Sequence, residues 1–150
     1  MNVEIATKEI IPELLELARE MEPLFEAPMA DNPEFKAHIE DKIEKNEVLI
    51  VRDKEHYNAL MGGIVISHSN SEILWFAVFN KYRRKGAGEK LLDYAINELG
   101  RDKVIEVTTF QENNLEGIPA RRLYEKFGFA ECSTVTVYGF SRSLMKRLPK

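Results

Sequence analysis

At 150 residues, with a formal net charge of −4 and 44% apolar residues, the chain is sized and composed for one compact domain spanning 1–150. The acidic balance argues against broad nucleic-acid binding, and no apolar run reaches membrane-spanning length, so no membrane partner is expected. The lone cysteine, Cys132, cannot close an internal disulfide, and residues 1–6 lack the basic-then-apolar pattern of a signal peptide, so a cytoplasmic location is expected.

Residues 3–6 alternate weakly and read as a first strand. Residues 10–21 carry Ile10, Ile11, Leu14, Leu15, Leu17, Ala18 and Met21 at helical spacing, with Thr7 as candidate N-cap and Pro12 in the first turn. Residues 22–32, with Pro23, Pro28 and several acids, read as a loop. Residues 33–45 form a second helix with Phe35, Ile39 and Ile43 on one face and Asn32 as its cap. Strands follow at 47–52 and 58–68, where Gly62-Gly63 marks a bulge or a close backbone approach. A turn at 69–71 leads to a strand at 72–79. A central helix then runs from Gly86 or Ala87 to Leu99, with Gly100 as its stop. Residues 103–110 read as a strand, and a polar loop begins at Gln111. A helix at 117–127 has Gly128 behind it, and 130–140 supply a final strand or pair. The basic residues from Lys146 to Lys150 read as a solvated tail. His38, His56 and His68 are scattered without ligand spacing, so no metal site is expected.

The segment Tyr82-Arg83-Arg84-Lys85-Gly86-Ala87-Gly88 carries the chemistry. It sits between an apolar strand and an amphipathic helix. A helix N-terminus presents unpaired N–H groups and partial positive charge, and glycines let those groups converge on an anion. Three basic side chains flank the turn, which suits a phosphate or pyrophosphate. A Walker loop fits poorly, because Gly88 is followed by Glu89-Lys90-Leu91 rather than Lys-Ser or Lys-Thr. The dinucleotide fingerprint fits poorly too, because its third glycine position holds Leu91.

The R-x-x-G-x-G pattern at Arg83, Gly86 and Gly88 resembles the acetyl-CoA pyrophosphate loop of the GNAT superfamily of N-acetyltransferases. The stretch Ala120-Arg121-Arg122-Leu123-Tyr124-Glu125-Lys126-Phe127-Gly128-Phe129 resembles the A-x-x-x-Y-x-x-x-G-F signature of the same superfamily, at the expected interval downstream. The resemblance is clear over residues 72–129 and looser elsewhere. It implies an α/β (α+β mixed-sheet) fold: a central mixed sheet of about seven strands flanked by about four helices, in the order β-α-α-β-β-β-α-β-α-β-β, with the fourth and fifth strands splayed around the cofactor. It also implies acetyl transfer from acetyl-CoA to a primary amine by direct attack in a ternary complex.

By the same resemblance, Tyr124 stands near the thioester sulfur as general acid, the plain alternative being a half-buried helix tyrosine. Glu106 and Glu72 are the candidate bases, Glu106 ranked ahead, with deprotonation through ordered water as the third option. Backbone groups of Phe76, Ala77 and Val78 are expected to pair with the pantetheine amides. Arg83, Arg84, Lys85, Gly86, Ala87, Gly88 and Glu89 are expected around the pyrophosphate, and Asn113 or Asn114 as a further cofactor contact. The acceptor pocket is expected at 21–31 with Trp75 or Phe76. There Glu22, Glu26 and Asp31 suit a cationic acceptor, although an acidic surface loop explains them as well. The acceptor is read as a small-molecule amine. The alternatives are a protein or peptide amine, a non-catalytic acyl-CoA-binding module, and a nucleotide-phosphate binder of another fold. The sequence does not fix the oligomeric state, although homodimers through the C-terminal strands are frequent among the proteins it resembles.

Overall fold

The computed structural model describes residues 2–25, 29–109, 118–137 and 139–149. In chain order these form β1 (Val3–Ile5), a 3-10 turn (Lys8–Ile10), α1 (Ile11–Phe25), α2 (Pro33–Glu44), β2 (Val48–Asp53), β3 (Ala59–Ser67), β4 (Glu72–Val78), a second 3-10 turn (Asn80–Tyr82), α3 (Ala87–Leu99), β5 (Ile105–Thr109), α4 (Ile118–Lys126), β6 (Phe129–Val137) and β7 (Phe140–Arg147). The strands make one seven-stranded sheet in the order β1-β2-β3-β4-β5-β7-β6. Only β4 and β5 run parallel; every other neighbouring pair is antiparallel. The expected mixed sheet with four helices is therefore present.

Apolar side chains alternate to both faces of the central strands, so each face carries a core. On one face Leu91, Leu92, Ala95 and Ile96 of α3 and Tyr124 of α4 pack on Ile64, Ile66, Ile73 and Ile105. On the other, Leu14, Leu17 and Ala18 of α1 and Ile39 and Ile43 of α2 pack on Val48, Ile50 and Val65. Asn32 caps α2 as expected: its side-chain oxygen accepts from the Glu34 N–H at 2.9 Å, with Pro33 in the first turn. Thr7 does not cap a helix through its side chain; its hydroxyl donates to Glu9 instead.

Three sequence expectations need correction. The loop expected at 22–32 begins later, because α1 continues through Pro23 to Phe25. A proline in a last turn removes one bond near an end where carbonyls go unpaired anyway. The C-terminal strand does not end the fold at 140, since β7 continues to Arg147 and inserts between β5 and β6. The basic tail is thus partly sheet. Lys146 pairs with Glu106 and Ala130 across the ladders, and Arg147 is 1% exposed, its Nε donating to the Phe127 carbonyl at 2.9 Å. Burial, with Arg101 nearby, pushes the Arg147 pKa down.

One irregularity shapes everything functional. In the β3–β4 ladder Val65 opposes Trp75 and Ile66 opposes Ile73, so Leu74 has no opposite partner. A bulge bends the strand that carries it. Before the bulge, β4 pairs with β5 at Glu72↔Glu106 and Ile73↔Val107. After it the pairing stops, while β5 stays with β7 along its whole length. The fourth and fifth strands splay apart there.

Candidate active site

The splay opens a cavity of about 1000 Å³ that passes through the sheet layer. Its walls come from β4, β5, the turn before α3, the first turns of α3 and α4, and the inner face of α2. Phe76, Ala77 and Val78 line it. On one side these residues are held by β3, opposite Ile64, Gly63 and Gly62. On the other side β5 has left them, so their edge faces the cavity as an unpaired strand edge. The Gly62-Gly63 pair serves close approach here. A Cβ on Gly62 would lie 2.7 Å from the Ala77 carbonyl oxygen, so any side chain would push β4 into the cleft.

One end of the cavity is basic. Arg83, Arg84, Gly86, Ala87, Gly88 and Glu89 line it. Gly86 precedes α3 at φ 88°, a left-handed conformation natural to glycine, and no side chain caps the helix. The first-turn N–H groups of α3 are therefore open toward the cavity end. Gly88 lets α3 sit tightly: a Cβ there would meet Leu123 Cδ2 at 3.2 Å and Phe76 Cζ at 3.4 Å. Arg83, Arg84 and Lys85 are all exposed. Lys85 does not line the cavity; its ammonium lies 5.7 Å from the Tyr82 ring centroid. Glu89 pairs with Lys126 of α4 at 2.6 Å, which ties the two helices together beside the basic turn.

Tyr124 stands midway. It is 4% exposed, with its ring against Phe76 at 6.0 Å and Phe129 at 5.6 Å, and it lines the cavity. No protein group among the described residues accepts its proton. Burial pushes its pKa far above the ordinary 10.0. Burial thus favours the neutral phenol.

The opposite end lies on the α1–α2 face. Met21, Met29, Asn32, Phe35, His38, Glu72 and Trp75 meet there. Glu72 and Glu106 are register partners on parallel strands, yet their surroundings differ. Glu106 is engaged by Lys146 at 3.3 Å and is not part of the cavity wall. Glu72 lines the cavity and has no hydrogen bond or ion pair among the described residues. Burial, reinforced by the neighbouring Glu106 charge, pushes the Glu72 pKa up from its ordinary value. His38 is pushed down by burial and by Lys42 one turn on.

Glu22 and Asp31, for which acceptor contact and an acidic surface loop were both open, are bonded within the fold. The Glu22 carboxylate accepts from the Met29 and Ala30 N–H groups at 2.7 and 3.1 Å, and Asp31 pairs with Arg19 at 2.9 Å. Neither lines the cavity. Glu26, Asn113 and Asn114 lie outside the described residues.

A family model described as the Acetyltransferase (GNAT) domain matches residues 44–131. The chain belongs to the GNAT acetyltransferases. Solved structures share the fold over nearly the whole chain. Ard1 from Thermoplasma volcanium is 21% identical, with 99% of this chain and 97% of that one covered at a TM-score of 0.78. A ribosomal-protein-alanine N-acetyltransferase from Brucella melitensis is 18% identical, with 99% of each chain covered at 0.76. The yncA protein of Salmonella typhimurium, whose structure includes its cofactor acetyl-CoA, is 16% identical, with 100% and 94% covered at 0.76. No curated protein matches the sequence. Acetyl-CoA is the cofactor of the GNAT family, and the residues present fit it: an unpaired strand edge, a glycine-opened helix N-terminus and two exposed arginines, Arg83 and Arg84, line one cleft.

Sequence reasoning missed the part that α2 plays in this GNAT site. Glu34, Phe35 and His38 line the cavity from one face of α2. Helical spacing shows that they share a face. It does not show that this face lies over a gap in a sheet.

Proposed function

We propose that the protein transfers the acetyl group of acetyl-CoA to the primary amine of a small molecule, by direct attack within a ternary complex. The observation that carries this reading is the polarity of the cleft. One end offers cations and open helix N–H groups to an anion. The other offers Glu72, a half-buried carboxylate with no hydrogen bond or ion pair among the described residues, to a cation.

Bound acetyl-CoA supplies an activated acetyl thioester with a good leaving group. Everything else is assigned to the chain. The unpaired edge at Phe76, Ala77 and Val78 orients the pantetheine arm by strand-like hydrogen bonds. The α3 N-terminus, Arg83 and Arg84 hold the pyrophosphate. Glu72 holds the acceptor ammonium and takes its proton; the raised proton affinity makes it a better base than an exposed carboxylate. Glu106, committed to Lys146, does not serve as the base. Tyr124 keeps its proton for the departing sulfur. No covalent enzyme intermediate is needed, so Cys132, exposed on β6, takes no part.

The test is thermal stability with acetyl-CoA, CoA, ATP and NAD in parallel, followed by thiol release with added amines. Stabilisation by both CoA species alone, and amine-dependent thiol release, support the reading. Stabilisation by ATP or NAD instead, or none by CoA, refutes the assignment of the basic turn. Acetylation confined to peptide N-termini replaces the small-molecule acceptor with a protein one.

A further inference from the structure

The acceptor end of the cavity has a chemical character of its own. Met21 and Met29 are 3% and 6% exposed, and both line it. Phe35 of α2 and Trp75 of β4 line it as well, and they touch edge to face, with centroids 6.1 Å apart and planes at 64°. These four side chains make a continuous apolar wall across the α1–α2 face, since all belong to or pack against one core cluster. Methionines adapt to irregular shapes, and aromatic pairs accept a third ring in edge or offset contact. The half-buried carboxylate beside this wall is Glu72, on the strand that carries Trp75. The other acid on this side of the lining, Glu34, is exposed at the first turn of α2. The cation on this side is Arg142 of β7.

Resting on the acetyltransferase reading above, we propose that the acceptor is a singly charged primary amine on an apolar body of aromatic size, its ammonium at Glu72 and its body against Met21, Met29, Phe35 and Trp75. The alternatives meet this wall badly. A polyamine sets a second ammonium along the apolar wall, where it sheds hydration and the further acid on this side is the exposed Glu34. A peptide brings an amide pair with each residue, and the four wall side chains offer these one polar atom, the Trp75 indole N–H, with Asn32 and His38 as the polar groups beside them.

Trp75 is the only tryptophan in the chain, so its emission reports directly on this wall. The experiment titrates CoA-saturated protein with 2-phenylethylamine, ethylamine, spermidine and a short peptide with a free N-terminus, following Trp75 fluorescence. Acetyl transfer from acetyl-CoA is measured for the same four compounds. The expected result is a saturable fluorescence change with 2-phenylethylamine. Its kcat/KM should exceed that of each of the others by about tenfold or more, a span ordinary for one apolar group in a fitted pocket. Phe35→Ala should raise KM for 2-phenylethylamine about tenfold and leave the KM of ethylamine nearly unchanged. Spermidine or the peptide as the best acceptor overturns the inference and leaves the acetyltransferase reading intact. Stabilisation by acetyl-CoA with no turnover of 2-phenylethylamine also overturns it. Absence of any response to acetyl-CoA defeats the underlying reading instead.

Discussion

Replacing Glu72 with glutamine should stabilise the protein and disable it at the same time. Glu72 lies directly beside Glu106 on the neighbouring parallel strand, which sets the two backbones roughly 5 Å apart. Two like charges at that separation repel by about 0.8 kcal/mol at the dielectric of water. Lys146, 3.3 Å from Glu106, and the partial exposure of both side chains screen this, so removing the Glu72 charge should gain about 0.5 kcal/mol. For a chain of this size that is a rise in Tm of roughly 1–2 °C. The pH dependence has a definite sign. The folded pKa of Glu72 is raised above its ordinary 4.5, so the native state binds a proton that the unfolded state has already released. Stability from this group is fully present below 4.5 and is lost as pH rises through the raised value. The advantage of Glu72→Gln should therefore appear at pH 7 and vanish below about pH 4, where both states are protonated. In the thiol-release assay kcat/KM should fall about 100-fold, the usual scale for a lost general base. Calorimetry at the two pH values and steady-state kinetics check both halves. A lower Tm at pH 7, or kcat/KM within threefold of the parent, would refute the assignment.

Tyr124→Phe should lower kcat about tenfold to 100-fold and leave stabilisation by acetyl-CoA unchanged, because the ring packing on Phe76 and Phe129 survives; unchanged kcat removes the phenol from the mechanism. Gly86→Val forces a branched residue to φ 88° at the start of α3 and should cost about 1–3 kcal/mol, with the CoA-induced Tm shift reduced; an intact shift would mean that the loop geometry does not matter. Glu47→Ala strands Lys42, 8% exposed and 2.8 Å from the Glu47 carboxylate, and should cost about 3 kcal/mol, read as a Tm drop of roughly 10 °C. Burial opposes ionisation of Glu47, but bonds from Lys42 and from the His68 N–H and ring outweigh it and hold its pKa below the ordinary 4.5. The pair's contribution should thus hold at neutral pH and fade as pH falls below 4.5; a stability difference that grows in acid would contradict this.

The basic turn was legible because its signal is local. Helix N-termini, glycine conformations and flanking charge act within a few residues, so Arg83 to Gly88 could be read directly from their order. The same holds for Asn32 before Pro33, which capped α2 as its type dictates. Where local rules misled, long-range packing had outweighed them. Arg147 reads as a solvated tail residue, yet the ladder between β5 and β6 draws it inside. Glu22 and Asp31 left two readings open, acceptor contact or acidic surface loop, and the fold bonds them to the Met29 and Ala30 backbone and to Arg19.

Glu72 and Glu106 show the boundary most sharply. Both are glutamates near apolar strand residues, and alternation alone treats them alike. The sequence by itself determined the type and order of the elements, the basic glycine turn and the tyrosine signature, because these depend on spacing within one segment. Tertiary structure decided which glutamate faces the cleft, since that depends on a bulge at Leu74 that ends the pairing of β4 with β5 and on Lys146, distant in the chain, reaching Glu106. It also decided that α2 supplies a wall of the site. Those outcomes rest on contacts between residues far apart in the chain, which no local pattern encodes.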